Sequence, residues 1–154
     1  MTEEPSEPSE EPSKKPKSEP SSAWDSLEPI VHWIGKLAWI FAIISGALSI
    51  LWGVTRILSW RPFGMIWHIA TGIATIIFAI VIIRPRFSNK CGENDWDYLL
   101  NDVLKLGNLR FPWMFVWGII LAFLSWYFYW SAFIWVPAFI LVFAGPKPYQ
   151  WTEE

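Results

Sequence analysis

Between Phe111 and Pro146 the chain runs for 36 residues without one charged side chain. As a single helix that run would extend ~54 Å, well past the ~30 Å of hydrocarbon in a bilayer. Pro137 also sits in its second half, where an uninterrupted helix is disfavoured. Two crossing helices joined by a tight turn at Tyr127-Phe128-Tyr129-Trp130 satisfy both constraints. Upstream lie two more uncharged runs, 19 residues over 37–55 and 21 residues over 63–83. Each is long enough to cross hydrocarbon as a helix.

The expected fold class is therefore all-α integral membrane: four transmembrane helices arranged as two hairpins, with spans at about 30–58, 62–84, 111–126 and 130–146. Composition agrees. Fifty-three per cent of residues are hydrophobic and 18% aromatic, above the range of soluble domains, and the 13 tryptophans suit a membrane interface. The last two spans are short, at ~24 Å each, which implies local thinning or exposed aromatic ends.

Charge is unevenly distributed. Residues 1–28 hold eight acids and three lysines, whereas the rest holds six acids and nine bases. Residues 1–23 repeat Glu-Pro-Ser four times and lack the apolar residues a core requires, so a disordered acidic tail is expected before a membrane domain over 24–154. The acidic leader does not resemble a cleaved signal peptide, and the first span is expected to serve as its own anchor. Pro29 suits the first turn of a helix. Arg84-Pro85-Arg86 is expected to stop the second span.

In the 84–110 loop, Trp96, Leu99, Leu100, Val103 and Leu104 recur at helical spacing, with Asp97, Asn101, Asp102 and Lys105 opposite. This pattern predicts an amphipathic helix at about 95–107, lying in the membrane interface, capped by Asn94 or Asp95 and ended by Gly107-Asn108.

Four spans would put both termini and this loop on one side. That side carries ten of the twelve basic residues, and Arg56 and Arg61 alone fall on the other. The positive-inside rule then orients both termini to the cytoplasm. Tryptophans sort into two belts, Trp33, Trp39, Trp113, Trp117 and Trp151 against Trp52, Trp60, Trp67, Trp126, Trp130 and Trp135. An internal repeat is also suggested, with Trp52-Gly53, Leu58-Ser59-Trp60 and Ile66-Trp67 recurring as Trp117-Gly118, Leu124-Ser125-Trp126 and Ile134-Trp135.

No Asp, Glu, Lys or Arg falls within the core of any span, which argues against proton-coupled transport and voltage sensing. Motifs for nucleotide binding, zinc proteolysis or nucleophilic serine chemistry are missing, so no enzyme, cofactor or metal is expected. The acidic tail argues against nucleic acid. Small residues offer the clearest site. Ser45, Ser49 and Gly53 repeat at four-residue spacing beside Ala38, Ala42 and Gly46, and Thr71, Thr75 and Ala79 answer from the second span. Such ridges bring helix backbones together, and packing of the first span against the second is the simpler reading; two ridges on one helix exceed what one neighbour needs and also suggest a homodimer interface.

Arg56, Arg61 and His68 form a candidate outer-face site for an anion or lipid headgroup, although an interfacial histidine hydrogen-bonded to a neighbouring helix or water is the simpler role for His68. Cys91, the single cysteine, is a candidate for lipidation in the loop. The expected partners are the bilayer and other membrane proteins or further copies of the chain. The expected function is a non-enzymatic membrane scaffold or accessory subunit acting through helix packing. Alternatives are a bilayer- or stress-responsive protein and an oligomeric channel or transporter for a neutral solute.

Overall fold

A computed structural model describes residues 22–59, 62–125 and 127–152. The chain is mostly helical. Helix α1 spans Ser22–Thr55 and runs into a 3-10 turn at Arg56–Ser59; α2 spans Pro62–Phe78. A π-helical segment, Ala79–Ser88, continues α2 and leads into α3, Asn89–Gly92. After α4 (Trp96–Asn101) come two strands, β1 (Val103–Leu106) and β2 (Leu109–Pro112). Helix α5 spans Trp113–Leu124, and α6 spans Ala132–Ala144 behind a 3-10 turn at Phe128–Ser131. The expected tail lies outside the described residues, except that Ser22 and Ala23 already belong to α1.

Two helices, 23–55 and 63–92, are long and apolar enough to cross a bilayer. At 34 residues α1 extends ~51 Å, so it also projects well beyond one hydrocarbon layer. Both long helices are apolar on the outside as well. Ile40, Ile44, Leu48 and Leu51 of α1 and Ile66, Ile73, Ile77 and Ile80 along the second helix are exposed. α5 and α6 are apolar but short, 12 and 13 residues.

Several local expectations change. Pro29 lies inside α1 rather than in its first turn. Arg84-Pro85-Arg86 does not stop the second helix, because the winding widens there from α to π. In an α-helix the ring of Pro85 would meet the carbonyl four residues back. Wider winding bonds to the fifth carbonyl instead, as the Asn89 N–H does to the Arg84 oxygen. Pro137 also sits within α6, and the 36-residue run is interrupted by the 3-10 turn at Phe128–Ser131, close to the turn expected at Tyr127–Trp130.

The predicted 95–107 helix is shorter and has a partner. Asp95 caps it, its Oδ1 accepting from the Tyr98 N–H at 3.2 Å, and the helix ends at Asn101. Asp102 is extended, and residues 103–112 form an antiparallel hairpin closed by Gly107-Asn108, with Leu106 opposite Leu109. Gly107 adopts φ +65°, which costs glycine nothing. Of the two neighbours open to its apolar face, lipid or the protein, α4 takes the protein. Trp96, Leu99 and Leu100 are buried, and Trp96 meets Trp24 edge-to-face at 5.6 Å.

The proposed belts also lose a member. Trp117 is 3% exposed and packs edge-on to Phe87, because it faces inward from α5. Trp33, Trp52 and Trp67 remain exposed.

One end of the molecule gathers the polar connections. Trp96 Nε1 donates to Glu28 at 3.1 Å, and His32 pairs with Asn94 at 2.7 Å. Lys147 bridges to Asp97 at 2.6 Å. The chain end extends the hairpin: the Arg110 N–H donates to the Trp151 carbonyl, and Leu109 bridges Thr152. The start of α1, the 89–112 region and residues 145–152 thus form one cap.

Candidate functional site

The small residues expected to form the ridges of α1 (Ala38, Ala42, Ser45, Gly46, Ser49 and Gly53) are buried, and they meet neighbours within the same chain. Gly46 and Gly72 lie face to face. A Cβ on Gly46 would come 2.7 Å from the Gly72 carbonyl oxygen, and one on Gly72 would come 2.6 Å from that of Gly46. Backbones can approach so closely only where neither residue has a side chain. Towards the turn, Gly53 packs on Ile69 and His68, and Ser49 Oγ donates to the His68 carbonyl at 3.0 Å. Towards the cap, Gly35 is covered by Cys91, and the Trp39 N–H donates to Ser88 Oγ at 3.2 Å. From Gly53 to Gly35 the seam is continuous. The second helix spends more residues on the same length, and its π-helical winding takes up the excess.

The residues predicted to answer from the second span do so only in part. Ala79 is fully buried. Thr71 stays on its own helix, bonding to the Trp67 and His68 carbonyls. Thr75 is turned toward α5, its hydroxyl 2.7 Å from the Thr71 carbonyl and 3.2 Å from the Leu124 carbonyl. The face presented to α1 is Ile69, Gly72 and Ile76. Gly72 was the missed residue. Its signal was present, since a glycine in a helix interior costs about 1 kcal/mol against alanine and calls for a packing reason.

Ala38 and Ala42 of one ridge and Ser45 of the other are buried, and Phe41 beside them stacks on Phe133 near the start of α6 at 3.9 Å. The two expected ridges do not divide between two neighbours: Gly46 of one and Ser49 and Gly53 of the other all meet the second helix, and α6 also lies alongside α1.

Gly118 makes the matching contact of the second hairpin, with the Trp135 indole at 3.0 Å from where its Cβ would be. The glycines of the suggested repeat thus each meet the partner helix at a corresponding place. Their neighbouring tryptophans do not match, Trp52 being exposed and Trp117 buried. Trp60 and Trp126, also part of that repeat, lie outside the described residues.

No family model, curated protein or solved structure matches this chain.

Of the outer-face cluster, Arg61 lies outside the described residues. Arg56 rests over the Trp52 ring at 5.8 Å, and His68 sits on the following helix at the same end of the hairpin. Cys91 is corrected outright as a lipidation candidate. It is fully buried beneath Gly35, so its thiol has no route to an acyl donor. Among the described residues, no group of three His, Cys, Asp or Glu side chains could hold a metal ion.

Asp102 is the unusual ionisable group of the cap. Its backbone carbonyl accepts from the Trp113 N–H at 3.0 Å, joining the hairpin to α5. Its Oδ2 is buried and unpartnered. Burial raises its carboxyl above the ordinary value, against the opposing pull of Arg86 and a hydrogen bond from Tyr98.

Proposed function

We propose that this is a small multi-pass membrane protein, with α1, α2 and its continuation, α5 and α6 as four crossings and the polar cap in the cytoplasm. Its task is that of a non-enzymatic scaffold or accessory subunit. The Gly46–Gly72 seam carries this reading. Backbone-to-backbone closure makes a stiff hairpin with no room for a solute between its helices. The isoleucines and leucines on the outer faces are left for lipid or for another membrane protein. In water so much exposed apolar helix would drive association, whereas in lipid it is solvated. The cap adds a second surface, charged and held by cross-element bonds, for contact with a partner in the cytoplasm.

Single-cysteine labelling tests the topology in a Cys91→Ala background. Asp97→Cys and Gln150→Cys should react with an impermeant maleimide from the cytoplasmic side, and Phe63→Cys from the other. Opposite sidedness for Asp97→Cys and Gln150→Cys would discard the four-crossing arrangement. The scaffold role is tested by the size of the native complex in mild detergent. Ile44→Trp and Ile77→Trp should shrink it while preserving the monomer fold; a protein that runs as a lone 17.9 kDa chain in every background has no such role.

A second reading, response to bilayer thickness, has its own support in helix lengths. α5 and α6 would cover ~18 and ~20 Å, much less than hydrocarbon, beside a far longer α1. Reconstitution in thin and thick bilayers, read by distances between labels on α1 and α6, distinguishes it. An unchanged distance removes it.

A further inference from the structure

A groove of about 290 Å³ runs between the outer half of α1 and the turn that precedes α6, lined by Ser45, Leu48, Leu51, Trp52, Tyr129 and Trp130 among others. At its inner wall is Ser45, 2% exposed, whose Oγ makes no hydrogen bond. That is exceptional here. Among the described residues, the other buried hydroxyls (Ser49, Thr75, Ser88, Ser125 and Ser131) all have partners. Thr55, also on the groove, donates to the Trp52 carbonyl at 2.8 Å. A buried hydroxyl without a partner is costly, and in a serine it usually turns back to its own helix.

We propose that this groove binds a small neutral molecule, an apolar body with a single hydroxyl or carbonyl oxygen that pairs with Ser45. Size sets the scale of the ligand: the 290 Å³ of the groove seats a short chain, and anything longer would extend from its open side into lipid. Charge limits it too. Among the described residues, no ionisable acid or base other than the tyrosines lines the groove, and a charged ligand would be desolvated without a counter-ion there. Entry is from the side, past exposed Leu48, Leu51 and Trp52. In lipid a hydrocarbon chain competes for the apolar walls on nearly equal terms, so the hydrogen bond to Ser45 provides the discrimination. This inference is separate from the scaffold role and survives its failure.

The test uses the full chain in lipid nanodiscs with a diazirine analogue of octan-1-ol as photoprobe. Cross-links mapped by mass spectrometry should concentrate at Leu48–Thr55 and Tyr127–Trp130. Octan-1-ol should compete, and nonane, equal in size but lacking oxygen, should compete about five- to tenfold less well. Ser45→Ala should erase that preference while leaving the thermal midpoint at or above that of wild type, since it removes an unpartnered buried hydroxyl. Leu51→Trp, at the exposed mouth, should reduce labelling by obstruction without touching the hydroxyl. Labelling spread evenly over all outward helix faces overturns the proposal. So does equal competition by nonane in the wild-type protein, which would mark the groove as a seat for lipid chains.

Discussion

Gly46 and Gly72 each occupy the space in which the other's side chain would stand. Either Cβ would press on the opposite carbonyl oxygen, at 2.7 and 2.6 Å, so both helix backbones are committed to one distance and one register. Everything else along the seam follows from that crossing: Gly53 over Ile69, Ser49 on the His68 carbonyl, Gly35 beneath Cys91.

Gly72→Leu is expected to destabilise the protein by ~1–3 kcal/mol or more, because the obstacle is backbone and cannot rotate away. Gly64→Ala is the control. Its added Cβ would meet only the Arg56 side chain, at 3.4 Å and beyond. Thermal denaturation in detergent followed by size-exclusion chromatography should separate the two, and equal midpoints would remove the seam as the main stabilising contact.

Interhelical hydroxyl bonds should count for less. Ser49→Ala removes the donor to the His68 carbonyl and is expected to cost ~0.6 kcal/mol, the average for such bonds between membrane helices. A loss as large as that of Gly72→Leu would mean that polar bonding, rather than close packing, holds this hairpin.

Cys91 should resist maleimide in the folded protein and react fully after denaturation, because Gly35 and the second helix enclose it. Fast labelling under native conditions, or an acyl group found on Cys91, would contradict its placement.

Asp102 sets a pH dependence. Its folded-state pKa is raised by burial, so the native state holds the proton more tightly than the unfolded chain. This group imposes no penalty below the unfolded carboxyl value, where both states are protonated. Stability is then lost as pH rises to the folded value, and the full penalty persists above it. Asp102→Asn should therefore be more stable than wild type at neutral pH, with the difference shrinking in acid. Parallel stability curves for the two proteins would dismiss the effect.

The charged pair Lys147–Asp97 should matter little to folding, since both side chains are 64% exposed and such pairs contribute ~0–1 kcal/mol. Lys147→Ala is expected to leave the melting midpoint nearly unchanged in physiological salt. A large drop would mean that the chain end anchors the cap through this contact.

Local chemistry alone determined the greasy helices, the turn near Tyr127–Trp130 and a cap at Asn94 or Asp95, of which the fold uses Asp95, because charge-free length and capping depend on neighbours in sequence. It also marked the small residues of α1 as a packing surface. Hairpin 103–112 was legible too, in the two residues Gly107-Asn108 between apolar segments, but helical spacing through Val103 and Leu104 masked it. Tertiary structure alone decided which neighbour meets each small residue. Periodicity gives a residue its face, never the neighbour opposite, so Thr75 turned to α5 while Gly72 met Gly46. It likewise decided that Pro85 is passed rather than obeyed, since packing along the seam stabilises a π-helical winding that propensity disfavours. Ser45 shows the same division most sharply: its small size was readable, but whether its hydroxyl finds a partner depends on atoms from distant parts of the chain.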